Sequence, residues 1–207
     1  PTVAAFTMSD TALISGETST VTLQFSEAVA NFSSSADITV QNGSLATMTS
    51  SDNITWTGTF TPTSGVEDSE NVLTLATTYT DTAGNSPAST STTDNYTVDT
   101  TAATVVAFTL SDSALKIGDT ATVTLQFSEA VASFSSSADI TVENGSLATM
   151  TTTDNITWTG TFTPSSDVED AENVMTLATS YTDTAGNAGP SATTDNYAID
   201  TIRPTVA

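Results

Sequence analysis

The chain repeats itself, and that repetition constrains its fold more than any single motif. Phe6 returns as Phe108, Phe25 as Phe127, Trp56 as Trp158, Pro62 as Pro164 and Asp81 as Asp183, a period of 102 residues. Residues 1–82 match residues 103–184 at 65 of 82 positions. One deletion in the Gly84–Asp94 loop shortens the offset to 101, so that Tyr96 answers to Tyr197 and Asp99 to Asp200. A tandem unit of this size must close its own hydrophobic core. The 207 residues therefore read as two domains, 1–99 and 100–201, with 202–207 opening a third. Pro204-Thr-Val-Ala207 repeats the opening Pro1-Thr-Val-Ala4, so the chain is expected to be a segment of a longer array. Near-identical neighbours imply a role in which copy number matters, and a catalytic domain has little reason to be printed twice in a row.

Within one copy the signal is alternation with period two, the mark of half-buried strands. Val21, Leu23 and Phe25 alternate with Thr20, Thr22 and Gln24; Ile54, Trp56, Gly58 and Phe60 alternate with Thr55, Thr57, Thr59 and Thr61. Leu73 and Leu75 do the same with Thr74 and Ala76. Threonine suits the outer, pleated face because β-branched side chains fit it. The pattern predicts seven strands, at about 3–8, 19–25, 37–41, 44–49, 53–61, 71–79 and 93–98. Gln41-Asn-Gly-Ser44 reads as a two-residue hairpin, since Asn-Gly supplies positive φ. No segment shows a convincing helical period, although Asp68-Ser-Glu-Asn71 could form one short turn. The expected fold is all-β: two tandem immunoglobulin-like, seven-stranded β-sandwiches.

Charge and composition remove several functions. A net charge of −22, from 24 acids against Lys116 and Arg203, argues against binding nucleic acid or an anionic membrane surface. There is no cysteine, so no disulfide supports either domain. No run approaches the length of a transmembrane helix and no signal peptide is found, so nothing in this stretch is expected to insert in a membrane.

Five stretches in fixed order carry a resemblance: Leu23-Gln-Phe-Ser-Glu-Ala-Val29, Asp37-Ile-Thr-Val-Gln-Asn-Gly43, Thr55-Trp-Thr-Gly-Thr-Phe-Thr-Pro62, Asp81-Thr-Ala-Gly-Asn85 and Asp94-Asn-Tyr-Thr-Val-Asp-Thr100. Together they resemble the bacterial Ig-like tandem repeats of large secreted and cell-surface adhesins, over nearly the whole of both copies. The resemblance implies a β-sandwich extender domain, outside the cell, exported in many cases by type I secretion, with calcium at the joints. Two features depart from the family pattern. Ala103 stands at the inner joint where the family commonly has proline, and the glycine- and aspartate-rich nonapeptide repeats of RTX secretion modules are missing from this stretch.

The available ligand chemistry is oxygen. With no histidine and no cysteine, zinc and copper lose their usual ligands, whereas calcium takes six to eight carboxylate, carbonyl and amide oxygens. In an immunoglobulin-like sandwich the first strand begins at the pole carrying the B–C and F–G loops, and the last strand ends at the other. Asp99 thus leaves one domain and enters the pole expected to carry Glu129, Asp139 and Asp183. Glu67, Asp68 and Glu70, with Glu17, are expected at the far pole of the first domain. The expected metal site is a calcium ion held by Asp99, Glu129 and Asp183, completed by Asp68 or by a carbonyl around Thr101. By repeat symmetry Glu27 and Asp81 face the joint before residue 1, and Asp200 the joint after residue 207.

Blander readings stand beside these. A loop aspartate is often only a turn former, and Asp81-Thr-Ala-Gly-Asn85 could be a tight turn with Gly84 at positive φ. Glu67-Asp-Ser-Glu70 could be a solvated face capping a short helical turn. Trp56 and Trp158 sit on the inward phase of their strand and read as core. Asn53-Ile-Thr55 matches a glycosylation acceptor by pattern alone.

Three function classes follow. The first is a structural extender that projects a distal adhesion domain for cell-surface or biofilm attachment, working as a monomer beside neighbouring repeats of its own chain. The second is a module whose loops bind a glycan or protein; against it, the copies differ mainly by conservative swaps such as Thr11 to Ser113 and Met8 to Leu110. The third is a paired-carboxylate glycosidase, opposed by the duplicated small sandwich and the lack of histidine. The sequence therefore reads as a protein that is not an enzyme.

Overall fold

The computed structural model describes residues 1–206, and the chain divides into two compact units, Pro1–Thr101 and Ala102–Ala207. Ala207, which completes the second Pro-Thr-Val-Ala motif, lies outside the described residues. In the first unit the strands are β1 (Val3–Met8), β2 (Ala12–Ile14), β3 (Ser19–Phe25), β4 (Val29–Ala30), β5 (Ile38–Val40) and β6 (Gly43–Leu45). They are followed by β7 (Thr55–Pro62), β8 (Glu67–Asn71), β9 (Leu73–Leu75), β10 (Thr80–Asp81), β11 (Ser91–Thr92) and β12 (Tyr96–Asp99), with one helical turn, α1 (Ser34–Asp37), before β5. The second unit repeats this order from Val105–Leu110 to Tyr197–Asp200.

Each unit is an immunoglobulin-like sandwich. One sheet runs β1-β3-β7-β6; facing it are β2-β12-β8 and β11-β9-β5, and a short β10-β4 ladder closes one end. The alternation in β3 is the reason for the layering: Val21, Leu23 and Phe25 are buried while Thr20 and Gln24 are exposed. From the facing layer Leu13, Leu73, Leu75, Tyr96 and Val98 close onto them. Trp56 is half-buried and packs on this core, its ring 4.9 Å from Phe32 in an edge-to-face contact. The second unit closes an equivalent core around Val123, Leu125, Phe127 and Phe162.

Four sequence expectations change. The seven long strands become twelve shorter ones in each unit, because strands switch between ladders. Ser34–Asp37 is a helical turn rather than the start of a strand. Glu67–Asn71 is a strand and not a cap: it has no apolar period of its own, but β12 supplies the pairing, with Glu67 opposite Asp99 and Asp68 opposite Val98. Gln41-Asn-Gly-Ser44 is not a hairpin, since β5 and β6 belong to different sheets. Only Asn42 takes positive φ there, at 46°. Gly43 is required for another reason: a Cβ on it would lie 2.2 Å from Cζ of Phe60 and 2.8 Å from the Thr61 carbonyl oxygen.

That crossover is fastened from below. The phenol of Tyr96 donates to the Gln41 carbonyl, as Tyr197 does to Glu143 at 2.7 Å. The Asn42 amide donates to Asp68 at 2.8 Å and to Asn71 at 2.7 Å, and the buried Asn71 amide donates in turn to the Tyr96 carbonyl at 3.1 Å. Burial pushes the pKa of both phenols up to about 12. A phenol whose folded pKa is raised contributes stability that is complete below the ordinary tyrosine value near 10 and is lost as pH rises toward the folded value. The urea midpoint is therefore expected to fall between about pH 9.5 and about pH 11.5, a loss that Tyr96→Phe with Tyr197→Phe reduces but does not remove, because burial also raises the phenols of Tyr79 and Tyr181. An unchanged midpoint in the unsubstituted protein would refute this.

Candidate metal centre

In the second unit Glu129 and Asp183 are brought together by two local devices. Ser128 is paired with Thr104, each backbone N–H bonding the other residue at 2.9 Å, so the turn after Phe127 is pinned where the chain enters the unit. The short ladder then sets Val131 opposite Asp183, two residues beyond Glu129. One carboxylate oxygen of Glu129 and one of Asp183 lie within 4.8 Å of each other. Two oxygens sharing one calcium at 2.3–2.6 Å lie no more than about 5 Å apart, so this pair fits that ion. Glu129 is half-buried and Asp183 is buried.

Asp183 is also the centre of its own turn. Its Oδ1 accepts the backbone N–H groups of Ala185, Gly186 and Asn187 at 3.0, 2.7 and 2.9 Å, and its Oδ2 accepts the Asn187 side-chain amide at 2.9 Å. Each carboxylate oxygen offers about two acceptor positions, so Oδ2, which accepts one bond here, keeps room for one further bond. In the first unit Asp81 is held likewise by Ala83 and Asn85, and Gly84 takes the positive φ of 91° that the turn requires. The Asn85 side chain, then its backbone N–H, hold the Asp81 carboxyl below the usual carboxylate range. The tight-turn reading of Asp81-Thr-Ala-Gly-Asn85 describes these bonds, and the same loops hold each carboxylate in place. Glu27 is exposed, with an oxygen 3.4 Å from the Pro1 nitrogen.

Asp99 ends β12, half-buried, between Ile14 on one side and Glu67 on the other. Its Oδ1 accepts the Thr101 N–H at 3.1 Å. Thr100 is tied into the first unit by its N–H to the Val66 carbonyl at 2.8 Å and its hydroxyl to the Thr63 carbonyl at 2.7 Å. Asp200, exposed, ends the matching strand and accepts the Ile202 N–H at 3.1 Å.

Asp68 and the other acids expected at the poles lie as follows. Asp68 stands in β8, where its Oδ2 accepts from Asn42 and its Oδ1 from the Glu70 N–H at 3.0 Å. Glu67 and Glu70 are exposed on the same strand, and Glu17 accepts the Ile14 N–H at 3.1 Å. Asp139 is not an open loop carboxylate: it is buried, accepting the Ser135 N–H at 2.7 Å and the Ser180 hydroxyl. Asp37 does the same with Ser33 and Thr78. Sequence reasoning missed this pair, although a serine four residues before the aspartate, followed by Ile-Thr-Val, is a legible sign of a capped turn. Among the described residues no helix is long and apolar enough to cross a membrane.

Two tandem immunoglobulin-like sandwiches, each closing its own core, define a repeated structural module. The bacterial Ig-like domain profile matches residues 1–98 and again residues 99–199, and the chain belongs to that family. No curated protein matches it significantly. Among solved structures it is similar to the Escherichia coli adhesin FdeC, at 13% identity over 94% of this chain and 65% of that one, with a TM-score of 0.44. It is also similar to InvD of Yersinia pseudotuberculosis (18% identity, 98% of this chain, 60% of that one, TM-score 0.34). The I9–I11 tandem of titin is a further similar structure (10% identity, 95% and 66%, TM-score 0.33). The chain thus spans less than two thirds of each of those chains.

Proposed function

We propose that the chain is a length of stalk in a large bacterial surface adhesin, holding a distal adhesion domain away from the cell, and that calcium stiffens its joint. What carries the reading is the repetition of one self-contained sandwich, with 65 of 82 positions identical between residues 1–82 and 103–184. Supporting the cation is the Glu129–Asp183 pair within 4.8 Å in a protein that carries 24 acids and two bases. Asp99 is only four residues from Ala103, which is buried in the core of the second unit. Thr101 and Ala102 alone separate Thr100, bonded into one unit, from that residue, and neither is glycine. Asp99, Glu129 and Asp183, with a carbonyl near Thr101, are the ligands proposed; Glu27 with Asp81, and Asp200, are their counterparts at flanking joints.

Like-charged carboxylates gathered at a joint repel one another, and a shared divalent cation reverses that sign. Calcium sites of extracellular modules bind at about 10⁻⁴–10⁻³ M, so they fill outside the cell and stay empty in the cytoplasm. The chain would then leave the cell in its looser state and stiffen on display. Small-angle scattering of the two-unit chain tests this: calcium is expected to narrow the distribution of overall dimensions, and a chelator to broaden it. Identical profiles would remove the cation from the account and leave the stalk.

A further inference from the structure

Six Asn-X-Ser/Thr triplets free of proline occur in the chain, beginning at Asn31, Asn42, Asn53, Asn95, Asn144 and Asn155. Four have amides already engaged. Asn42 donates to Asp68 and Asn71, and Asn144 donates to Asp170 at 2.9 Å and Asn173 at 2.7 Å. Asn95 donates to the Ser69 carbonyl at 2.9 Å, and Asn31 makes a long 3.5 Å contact with Thr80. Asn53 and Asn155 differ. Both are exposed, both stand at φ 58°, and neither side-chain amide makes a hydrogen bond among the described residues.

The turn that presents them is built by everything except that amide. Asp52 accepts the N–H groups of Ile54 and Thr55, each at 2.9 Å, and the Ser50 hydroxyl accepts the Asn53 N–H at 2.9 Å. The Asn53 carbonyl accepts the Val29 N–H at 3.0 Å. Asp154, Thr152 and Asn155 repeat the arrangement, and Asn155 bonds Val131 at 3.0 Å. A fixed backbone therefore offers the same uncommitted amide once per repeat, two residues ahead of a threonine.

We propose that Asn53 and Asn155 are the N-glycosylation acceptors of the folded repeats, modified by a transferase that uses a nucleotide-diphosphate sugar. The reaction joins Nδ2 to the anomeric carbon, breaks the bond from that carbon to the diphosphate oxygen, releases the nucleoside diphosphate, and passes one amide proton to a base of the transferase. An amide lone pair is delocalised, so the nitrogen attacks only after the transferase has turned it out of conjugation. Nδ2 of Asn53 is free to turn; Nδ2 of Asn42 or Asn144 must first break two hydrogen bonds. The triplet's hydroxyl is the recognised partner, and those of Thr55 and Thr157 make no side-chain hydrogen bond among the described residues.

The test is to treat the folded two-unit chain with UDP-glucose and a soluble N-glucosyltransferase, then to locate hexose by peptide mass spectrometry. Hexose is expected on Asn53 and Asn155 in most molecules, with Asn42, Asn95 and Asn144 bare. Thr55→Val and Thr157→Val preserve branching at Cβ, and each is expected to lose the hexose at its own site while melting with the parent. Bare Asn53 and Asn155, hexose shared evenly over all six positions, or retention in the valine variants would each overturn the proposal.

Discussion

Phe60→Ala is expected to destabilise the first unit by about 3–5 kcal/mol, the range for removing a fully buried phenylalanine. Phe60 is fully buried in β7, between Ser19 of β3 and Leu45 of β6. Its ring meets Tyr96 edge to face at 5.2 Å and lies over Gly43 so closely that no other residue fits there. One ring therefore supports both the crossover between the sheets and the strand whose phenol fastens that crossover. Its loss leaves a cavity lined by groups that cannot collapse into it, because Gly43 has no side chain to offer. A domain of this size has roughly 5–15 kcal/mol of stability in all, and each kcal/mol moves its melting point by about 4–8 °C. Calorimetry should show the first unit melting far below the second, and Phe162→Ala should reverse the order. Two transitions that fall together would mean that the units are not independent cores.

The second large effect expected is calcium stabilisation of the unit that carries Glu129 and Asp183. At about 10 mM calcium and a dissociation constant of 10⁻⁴–10⁻³ M, mass action contributes about 1.4–2.7 kcal/mol. That is a rise of several degrees in the second transition, by the size scaling above. Glu129→Gln is the informative variant. It removes one charge and leaves the Asp183 turn intact, whereas Asp183→Asn would set an amide against the N–H groups of Ala185, Gly186 and Asn187. Glu129→Gln and Asp99→Asn should each lose most of the calcium shift while melting normally without calcium. If both variants respond to calcium as the parent does, the ion binds elsewhere.

The layering was legible in the sequence where one strand carries its own pattern. β3 and β7 announce themselves because alternate residues are apolar and the rest are threonine. β8 does not, since Glu67-Asp-Ser-Glu70 is a strand only through its partner β12, nearly thirty residues away in the chain. Gln41-Asn-Gly-Ser44 misled for the same reason: the local signal for a turn was sound, but where the chain goes after it depends on Phe60 and Tyr96. At the candidate centre, composition pointed to oxygen ligands and to the loop acids. It could not separate Asp139, consumed in capping its own turn, from Asp183, which is fixed by its loop with an acceptor position to spare. Burial and hydrogen bonding decide that difference, and both are long-range.

The parallel pairing of β2 with β12, Ala12 to Thr97, Leu13 to Val98 and Ile14 to Asp99, joins the start of the unit to its end. Tension applied along the chain would draw these two strands past each other lengthwise. The bonds between them, including the Thr97 N–H to Thr11 carbonyl bond of 2.8 Å, would then share the load instead of opening one at a time like a zip. Bonds loaded together yield at a higher force than bonds opened one by one, and having no cysteine the unit can unravel under overload and fold again without mispaired sulfur.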